Sequence, residues 1–163
     1  MKSTTILALR KIKAISDYQF GNDITDILFN KEESLTIERS KNTNKIRYIY
    51  HKNNLLLTLR PTNGFFTLSL FSARKIIKNI PVPRLRIIVM TEISEFIKQG
   101  RNVFCKHVVG VDKNLRPLDE VIVVNQEDEL LAIGRLKIAV DLLTAFKTGI
   151  AVMVRKGVNK SKI

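Results

Sequence analysis

The sequence predicts an α+β protein of two domains, a helix-flanked antiparallel sheet over residues 1–80 and a strand-rich domain over residues 84–157. Two observations carry this prediction. Between residues 34 and 70 the apolar residues recur at every second position, as in strands, whereas the flanking segments show helical spacing. Pro81-Val82-Pro83 then interrupts both patterns. Because proline fixes φ and offers no backbone donor, this tripeptide marks the boundary between the domains.

Helices are predicted at both ends of the first domain. Residues 4–19 place apolar side chains every three residues, and residues 24–29 form a second short helix with Asn22 or Asp23 as its N-cap. Four short β-rich runs between residues 34 and 70 predict an antiparallel meander, in which Asn63-Gly64 is the strongest hairpin signal because both residues tolerate positive φ. A helix over residues 72–80 follows.

The second domain alternates strands with short helices. A buried strand in residues 85–90 precedes a helix that we expect to begin at Thr91 as N-cap and to end at Gly100. A short helix is predicted over residues 140–147, and the tail 156–163 is expected to fray. The remaining predicted strands are 103–109, 121–125, 130–136 and 150–155.

The chain is strongly basic. It carries 28 Lys and Arg against 15 Asp and Glu among 163 residues, a formal net charge of +13. Residues 1–83 contribute 14 basic and 6 acidic residues, and residues 84–163 contribute 14 and 9. Such an excess favours a polyanionic partner, nucleic acid before anionic lipid, although a solvated basic surface is the alternative interpretation.

Features of other protein classes are missing from the sequence. A single cysteine, Cys105, permits no internal disulfide and no cysteine zinc site, and no metal or cofactor motif is present. The N-terminus lacks a signal-peptide pattern and no apolar run is long enough to span a membrane, so we expect a cytoplasmic protein. Cys105 and His107 would share one face of a strand, which leaves a thiol-dependent hydrolase or transferase as a minor alternative.

Basic residues cluster where a helix gives way to a strand in the second domain. Gly100, Arg101 and Asn102 form the loop, and Lys106 and His107 follow in the adjacent strand. Glycine allows close backbone approach, Arg and Lys supply charge for phosphates, and His can stack on a base or hydrogen-bond to it. These residue types together predict an RNA-binding surface.

Several motifs resemble archaeosine tRNA-guanine transglycosylases over nearly the whole chain. They are D-Y-Q-F-G at 17–21, R-x-x-N-G at 60–64, L-S-L at 68–70, P-R-L-R at 83–86, G-R-x-V-F-x-K-H-V at 100–108, R-P-x-D-E-V at 116–121, A-x-G-R at 132–135 and G-x-A-V-x-V-R at 149–155. Small stand-alone archaeal proteins of the same two-domain kind are also similar. The chain departs from the family at Leu118, where glycine is usual, and at Asn63, where aspartate is usual.

The resemblance implies a PUA pseudobarrel as the second domain and a small α+β domain before it. The transglycosylase barrel, with its catalytic aspartates and zinc ligands, has no counterpart in this sequence. The resemblance therefore implies a non-catalytic protein that binds the acceptor stem and 3′ CCA end of tRNA. A separate catalytic subunit would then perform the modification, while a ribosome-assembly or ribonucleoprotein role is the alternative. The RNA-binding residues we expect are Gly100, Arg101, Lys106, His107, Arg116, Arg155 and Lys156.

Overall fold

The structure, a computed structural model, describes residues 3–160 of the chain. Two compact units follow one another, and the chain passes from the first to the second between Asn79 and Ile80. The bounds 1–80 and 84–157 for the two domains stay a prediction. None of the helices within residues 3–160 combines the length and the apolar character needed to cross a membrane.

Two helices open the N-terminal unit, α1 from Ser3 to Phe20 and α2 from Asn22 to Leu28. Gly21 separates them with a φ of 99°, a backbone conformation that residues with a Cβ rarely adopt. Gly21 is also the N-cap of α2 and provides no side-chain cap. The predicted capping role of Asn22 or Asp23 is therefore wrong, because Asn22 is already the first residue of the helix.

The N-terminal sheet is a four-stranded antiparallel meander, as predicted. Its strands pair in sequence order, and the following helix α3 packs on the third strand. The buried faces of the sheet and of α3 form the core of this unit, where Ile49, Leu56 and Ile76 have no exposed surface. The elements are β1 (Leu35–Arg39), β2 (Ile46–His51), β3 (Asn54–Leu59), β4 (Phe66–Leu68) and α3 (Leu70–Asn79).

Asn63-Gly64 lies in a loop that is longer than a two-residue turn. The Gly64 N–H donates to the Arg60 carbonyl at 3.0 Å, and the Arg60 N–H donates to the Phe65 carbonyl at 2.9 Å. Gly64 alone of the pair has positive φ, at 73°, while the Asn63 Oδ1 accepts from the Phe65 N–H. The prediction of a hairpin here is confirmed, but positive φ at Asn63 is wrong.

Between residues 80 and 160, the second unit contains six strands and one α-helix. The strand order is β6-β10-β9-β8-β5-β7, with β5 and β8 parallel and the other neighbours antiparallel. The elements are β5 (Arg86–Val89), α4 (Ser94–Lys98), β6 (Val103–Phe104), β7 (Val108–Val111), β8 (Glu120–Val124), β9 (Leu130–Leu136) and β10 (Ile150–Gly157).

A short connection makes this sheet curl. β6 and β7 lie at opposite edges, yet only the 3-10 turn Cys105–His107 joins them. The four steps from Phe104 to Val108 reach at most about 14 Å, whereas six strands laid flat would span roughly 24 Å. The sheet must therefore roll up, and it forms a nearly closed pseudobarrel around the buried side chains of β8 and β9.

Several local predictions for the second unit are wrong. The predicted strand 103–109 is two strands broken by the 3-10 turn, because β6 pairs with β10 while β7 pairs with β5. Residues 140–147 contain a 3-10 turn, Val140–Leu142, and no α-helix. Thr91 does not cap α4: it starts a 3-10 turn, and its hydroxyl donates to Glu127 Oε2 at 2.9 Å.

The predicted frayed tail is hydrogen-bonded through residue 160, whose N–H donates to the Gly157 carbonyl at 3.3 Å. β10 continues to Gly157, after which the Val158 N–H donates to the Leu131 carbonyl at 3.0 Å. The Asn159 N–H donates to the Lys98 carbonyl at 2.9 Å, at the C-terminal end of α4. Residues 161–163 of the predicted tail lie outside the described residues.

Arg86, the first residue of β5, has a fully buried side chain. Its guanidinium donates to both carboxylate oxygens of Asp128 at 3.2 Å, to the Arg84 carbonyl at 2.8 Å and to the Ile80 carbonyl at 2.7 Å. A buried guanidinium is tolerated when acceptors surround it. Arg86 thus ties the start of the second unit to the β8–β9 turn, which contains Asp128.

Leu118 has a left-handed backbone conformation, which glycine adopts readily and residues with a Cβ rarely adopt. Its φ is 76° and its side chain is 67% exposed, so it bears the strain of a left-handed conformation without compensating burial. We expect Leu118→Gly to raise the free energy of unfolding by about 0.5–1 kcal/mol, since relief of strain outweighs the added freedom of the unfolded chain. Chemical denaturation measures it. Leu118→Ala, which retains a Cβ, should give no gain, and an equal gain from both variants would contradict the strain argument.

Candidate nucleic-acid interface

The predicted RNA-binding residues centre on one stretch of chain, residues 100–107, which we call the edge segment. It contains β6, the edge strand beside β10. Its first half is fixed by the Asn102 side chain, whose Oδ1 accepts from the Val154 N–H at 2.9 Å. Its second half is fixed where the Cys105 N–H donates to the Gly149 carbonyl at 3.0 Å. The edge segment is thus held at Asn102 by Val154 of β10 and at Cys105 by Gly149, which directly precedes β10.

Gly100 brings the edge segment close to the end of β10. It has a φ of 97° and ends the turn after α4. A Cβ on Gly157 would lie 2.7 Å from the Gly100 nitrogen, so the two backbones touch. The Lys160 side chain covers Gly100, with Cδ 3.2 Å from the position that a Cβ would occupy. Gly100 therefore packs against this chain's own lysine, and its predicted close approach to a nucleotide stays a prediction.

Two exposed phenylalanines lie beside the basic residues of this surface. The Arg101 guanidinium lies 5.7 Å from the centre of the Phe96 ring. The rings of His107 and Phe104 pack edge to face, with their centres 6.3 Å apart. Phe96 is 55% exposed and Phe104 is 45% exposed. Exposed aromatic rings beside basic groups provide stacking surfaces for bases. The sequence prediction missed both rings, although aromatic residues alternating with basic ones are the signal that could have found them.

Lys106 is exposed at the mouth of an apolar cleft. The cleft has a volume of about 350 Å³ and lies between the 3-10 turn, β7 and the loop that contains Leu143, Phe146 and Lys147. The backbone carbonyl of the next residue, His107, accepts from the Met90 N–H at 3.0 Å, which fixes this part of the turn. Apolar walls with lysines at the rim suit a nucleotide, whose base is flat and whose phosphate is anionic.

Arg155 lies next to the edge segment but is engaged in an ion pair. It is the extra residue of a β-bulge between Val154 and Lys156, and a bulge redirects a side chain. Both of its terminal nitrogens donate to the two carboxylate oxygens of Glu120 at 2.8 Å, and Glu120 is only 3% exposed. Much of the charge of Arg155 therefore balances a buried carboxylate. Its role as a phosphate contact stays a prediction.

The other predicted residues spread along and across the sheet. Lys156 is exposed at the far end of β10, roughly 25 Å from Gly149 at the near end. Arg116 lies in the loop before β8, where its N–H donates to Asp119 Oδ2 at 2.8 Å. That loop meets the end of β9, two strands from β6 and so roughly 10 Å away. Gly100 to His107 form one continuous surface, and Arg116 and Lys156 lie at its margins.

Cys105 and His107 lack the arrangement of a nucleophile and its base. They lie in a 3-10 turn rather than on one strand face, and Cys105 is buried. Burial raises the pKa of the Cys105 thiol, which keeps it in the unreactive protonated form. Among residues 3–160, no group of three or more His, Cys, Asp or Glu side chains is placed to hold a metal ion.

Two family models together match most of the chain. The patch-forming domain C2 of tRNA-guanine transglycosylase matches residues 10–83, and the PUA domain matches residues 85–158. The first match ends at Pro83 and the second begins at Leu85, and only short stretches at either end of the chain lie outside both.

Curated relatives of high similarity are much longer proteins. The tRNA-guanine(15) transglycosylase of Methanobrevibacter smithii is 40% identical over 152 residues, which are 93% of this chain and 23% of that protein. The enzyme of the same name from Thermococcus kodakarensis is 38% identical over 153 residues, 94% of this chain and 26% of that protein. The chain thus spans about a quarter of the length of these relatives.

Solved structures confirm the predicted fold. A hypothetical protein from the hyperthermophilic archaeon Pyrococcus horikoshii superimposes with a TM-score of 0.76 at 19% identity, over 99% of this chain and 94% of that one. A conserved PUA domain protein from Thermoplasma acidophilum gives 0.66 at 20% identity, over 96% and 92%. The α+β class and the succession of a helix-flanked sheet and a PUA pseudobarrel are correct.

Proposed function

The chain belongs to the proteins that join a C2 domain of the tRNA-guanine transglycosylase type to a PUA domain, and from this we propose that it binds tRNA. The edge segment and its margins contact the acceptor stem and the 3′ CCA end. A separate catalytic subunit carries out the modification while this chain positions the tRNA. The high net charge of +13 supports a polyanionic ligand of this kind.

The exposed cations of the edge segment are the observation that carries the proposal. Arg101 and Lys106 are exposed on a backbone that Val154 and Gly149 hold through Asn102 and Cys105, and no carboxylate within the described residues pairs with either. Rigidly held cations lose little conformational freedom when they bind a phosphate. Phe104 and the apolar cleft beside Lys106 supply surfaces for unstacked bases at a single-stranded end. His107 faces the 3′-terminal nucleotide.

A binding role rather than a catalytic one fits the chemistry of this unit. The single thiol is buried and its pKa is raised. The relatives that carry the enzyme name are about four times as long as this chain, so the matched portion is a minor part of each. We therefore assign the chain to the binding step of tRNA modification and assign the bond-changing step to a partner.

Reversing the charge at Arg101 and Lys106 together tests the proposal. Engagement of about four to six phosphates predicts a slope of log affinity against log salt of roughly −3 to −5. Arg101→Glu with Lys106→Glu should weaken binding of an unmodified tRNA transcript by at least about tenfold and flatten this slope by between about one and two. Fluorescence anisotropy over a salt series measures both quantities.

The matched control changes the net charge equally. Lys41→Glu with Lys45→Glu alters two exposed lysines in the loop between β1 and β2 of the other unit. Equal losses in the two double variants would mean that only net charge matters, and an unchanged affinity in the first variant would remove the edge segment from the interface. Removal of the CCA end should also weaken binding. If it has no effect, the end-recognition role of His107 is wrong.

Crosslinking in cells identifies the RNA. Mainly tRNA should be recovered with the wild-type chain. Recovery of mainly ribosomal or guide RNA would instead place the protein in ribosome assembly or in a ribonucleoprotein.

A further inference from the structure

The N-terminal unit contains a histidine, His51, that has no part in the interface proposed for the edge segment. His51 ends β2, and its ring stacks on Phe71 of α3 at a centroid distance of 6.0 Å and an angle of 25°. Its Nε2 atom is buried and has no hydrogen-bond partner. Buried polar atoms are almost always satisfied, so an unpaired one marks a site where a further group or a change of protonation matters.

Three lysines from three different elements lie around this histidine. Lys52 directly follows His51, and its N–H donates to the Ser34 carbonyl at 2.8 Å, while the Ser34 N–H donates to the Lys31 carbonyl at 2.9 Å. Lys75 lies one helical turn after Phe71, whose ring stacks on His51. Burial, followed by the charges of Lys75, Lys52 and Lys31, lowers the pKa of His51 below its ordinary value. Glu33 is the one neighbouring charge that acts in the opposite direction.

The lysines repel one another as well as the histidine. Lys75 is half-buried, and its pKa is lowered by burial and then by the charge of Lys31. Within residues 3–160, no carboxylate forms an ion pair with any of the three ammonium groups. The three lysines outweigh the single opposing charge of Glu33. An excess of like charge destabilises a fold, and groups with perturbed pKa values are concentrated at functional sites.

We propose that Lys31, Lys52 and Lys75 form a phosphate-binding site in the N-terminal unit, and that it holds a backbone phosphate of the bound RNA. The inference rests on the proposed function, which supplies the polyanion. Three flexible ammonium groups on an open surface suit a phosphodiester, which offers two charged oxygens and needs no enclosed pocket. His51 lies behind the lysines and does not contact the RNA. It is a positioning residue whose protonation responds to the charge of the lysines and of the bound phosphate.

This arrangement couples RNA binding to the protonation of His51. In the free protein, burial and then the charges of the lysines lower the pKa of His51, which favours the neutral imidazole. A bound phosphate neutralises part of their charge and so raises the pKa of His51, because the cationic form is no longer repelled. Binding then takes up protons, and affinity rises as the pH falls below the ordinary histidine pKa of about 6.5. The rise should be absent from His51→Gln.

Two paired variants test the site. Lys52→Gln with Lys75→Gln removes two cluster charges, and Lys41→Gln with Lys45→Gln removes two exposed charges of the same unit outside the cluster. We expect the first pair to weaken binding of an unmodified tRNA transcript about fivefold or more and to flatten the salt slope by up to about one, since a single phosphate contributes about 0.9. The second pair should change affinity less than about twofold. Equal losses in both pairs, or no loss in the first, would overturn the proposal.

A spectroscopic readout does not depend on RNA. In the free chain, proton NMR of the His51 imidazole should show that its pKa increases in Lys52→Gln with Lys75→Gln, because two repelling charges are gone. No increase would show that the lysines do not surround His51. Loss of the pH dependence of tRNA affinity in His51→Gln, with binding at pH 8 retained, supports the coupling, and an unchanged pH dependence overturns it.

The two proposals fail in different ways. If wild-type protein does not bind the tRNA transcript, the proposed function is wrong and the phosphate site falls with it. If the wild type binds and the Arg101 and Lys106 reversal weakens binding while the Lys52 and Lys75 variant does not, the proposed function stands and only the second site is wrong.

Discussion

Replacing Gly134 by alanine is expected to lower the free energy of unfolding of the second unit by about 3–4 kcal/mol. Gly134 lies in β9 where β10 crosses closely. A Cβ there would lie 2.3 Å from the Met153 carbonyl oxygen and 2.9 Å from the Val154 Cα. Both are backbone atoms that cannot rotate away, so β10 would have to move. Thermal unfolding followed by circular dichroism should show a fall of roughly 12 °C or more in the transition of this unit.

Gly110 provides a matched control for Gly134. It also lies in a strand of the same sheet, but a Cβ there would first meet the end of the Ile88 side chain, at 3.0 Å from Cδ1. A methyl group at the end of a side chain can shift by a change of rotamer. Gly110→Ala should therefore cost less than about 1 kcal/mol. Equal losses at the two positions would show that β-sheet propensity, and not the close approach of β10, determines the result.

The Gly134 substitution should also affect RNA binding. The Val154 N–H donates to Asn102, so displacement of β10 moves the anchor of the edge segment. Any Gly134→Ala protein that remains folded at low temperature should bind tRNA less tightly than the wild type, although the substituted side chain is buried within the sheet.

Removal of the Arg86 side chain has the second-largest expected effect. Arg86→Met should destabilise the second unit by about 3 kcal/mol, since it leaves the Ile80 and Arg84 carbonyls without their donor and Asp128 without its counter-charge. Asp128 is 30% exposed on its side chain, so water can partly replace the guanidinium and limit the loss. Urea denaturation provides the measurement.

Arg135 is the matched control for Arg86. It is a half-buried arginine in β9, and no ion pair involves it within the described part of the chain. Arg135→Met removes the same charge and should cost less than about 1 kcal/mol. If Arg86→Met is as mild as Arg135→Met, the carbonyls around Arg86 are satisfied in some other way and the buried network does not hold the start of the unit together.

Local patterns predicted most of the fold. The meander of β1 to β4 follows from period-2 alternation and from asparagine-rich turns, because each strand there pairs with its neighbour in sequence. The predicted strands 121–125, 130–136 and 150–155 are also close to those observed, because runs of β-branched residues are typical of strands in a buried sheet.

Long-range pairing determined what the sequence could not predict. The sequence from Val103 to Val109 predicts one strand. In the structure its first part pairs with β10 and its last part with β5, so the chain must change direction at the 3-10 turn that begins at Cys105. The sequence predicted Arg155 as a phosphate contact, but in the structure its guanidinium pairs with the carboxylate of Glu120, 35 residues earlier. The group around His51 combines residues 31, 51, 52 and 75 from separate elements, so no motif in the sequence could reveal it.

The edge position of β6 has a consequence for the order in which the protein becomes functional during synthesis. β6 has β10 as its strand partner, and β10 leaves the ribosome after the other five strands of this sheet. A nascent chain that has emerged only as far as β9 can pair β5, β7, β8 and β9, but its edge segment lacks the contacts of Asn102 with Val154 and of Cys105 with Gly149. Affinity for RNA should therefore be the last property that the second unit gains, and a truncated translation product would carry the basic residues without their arrangement.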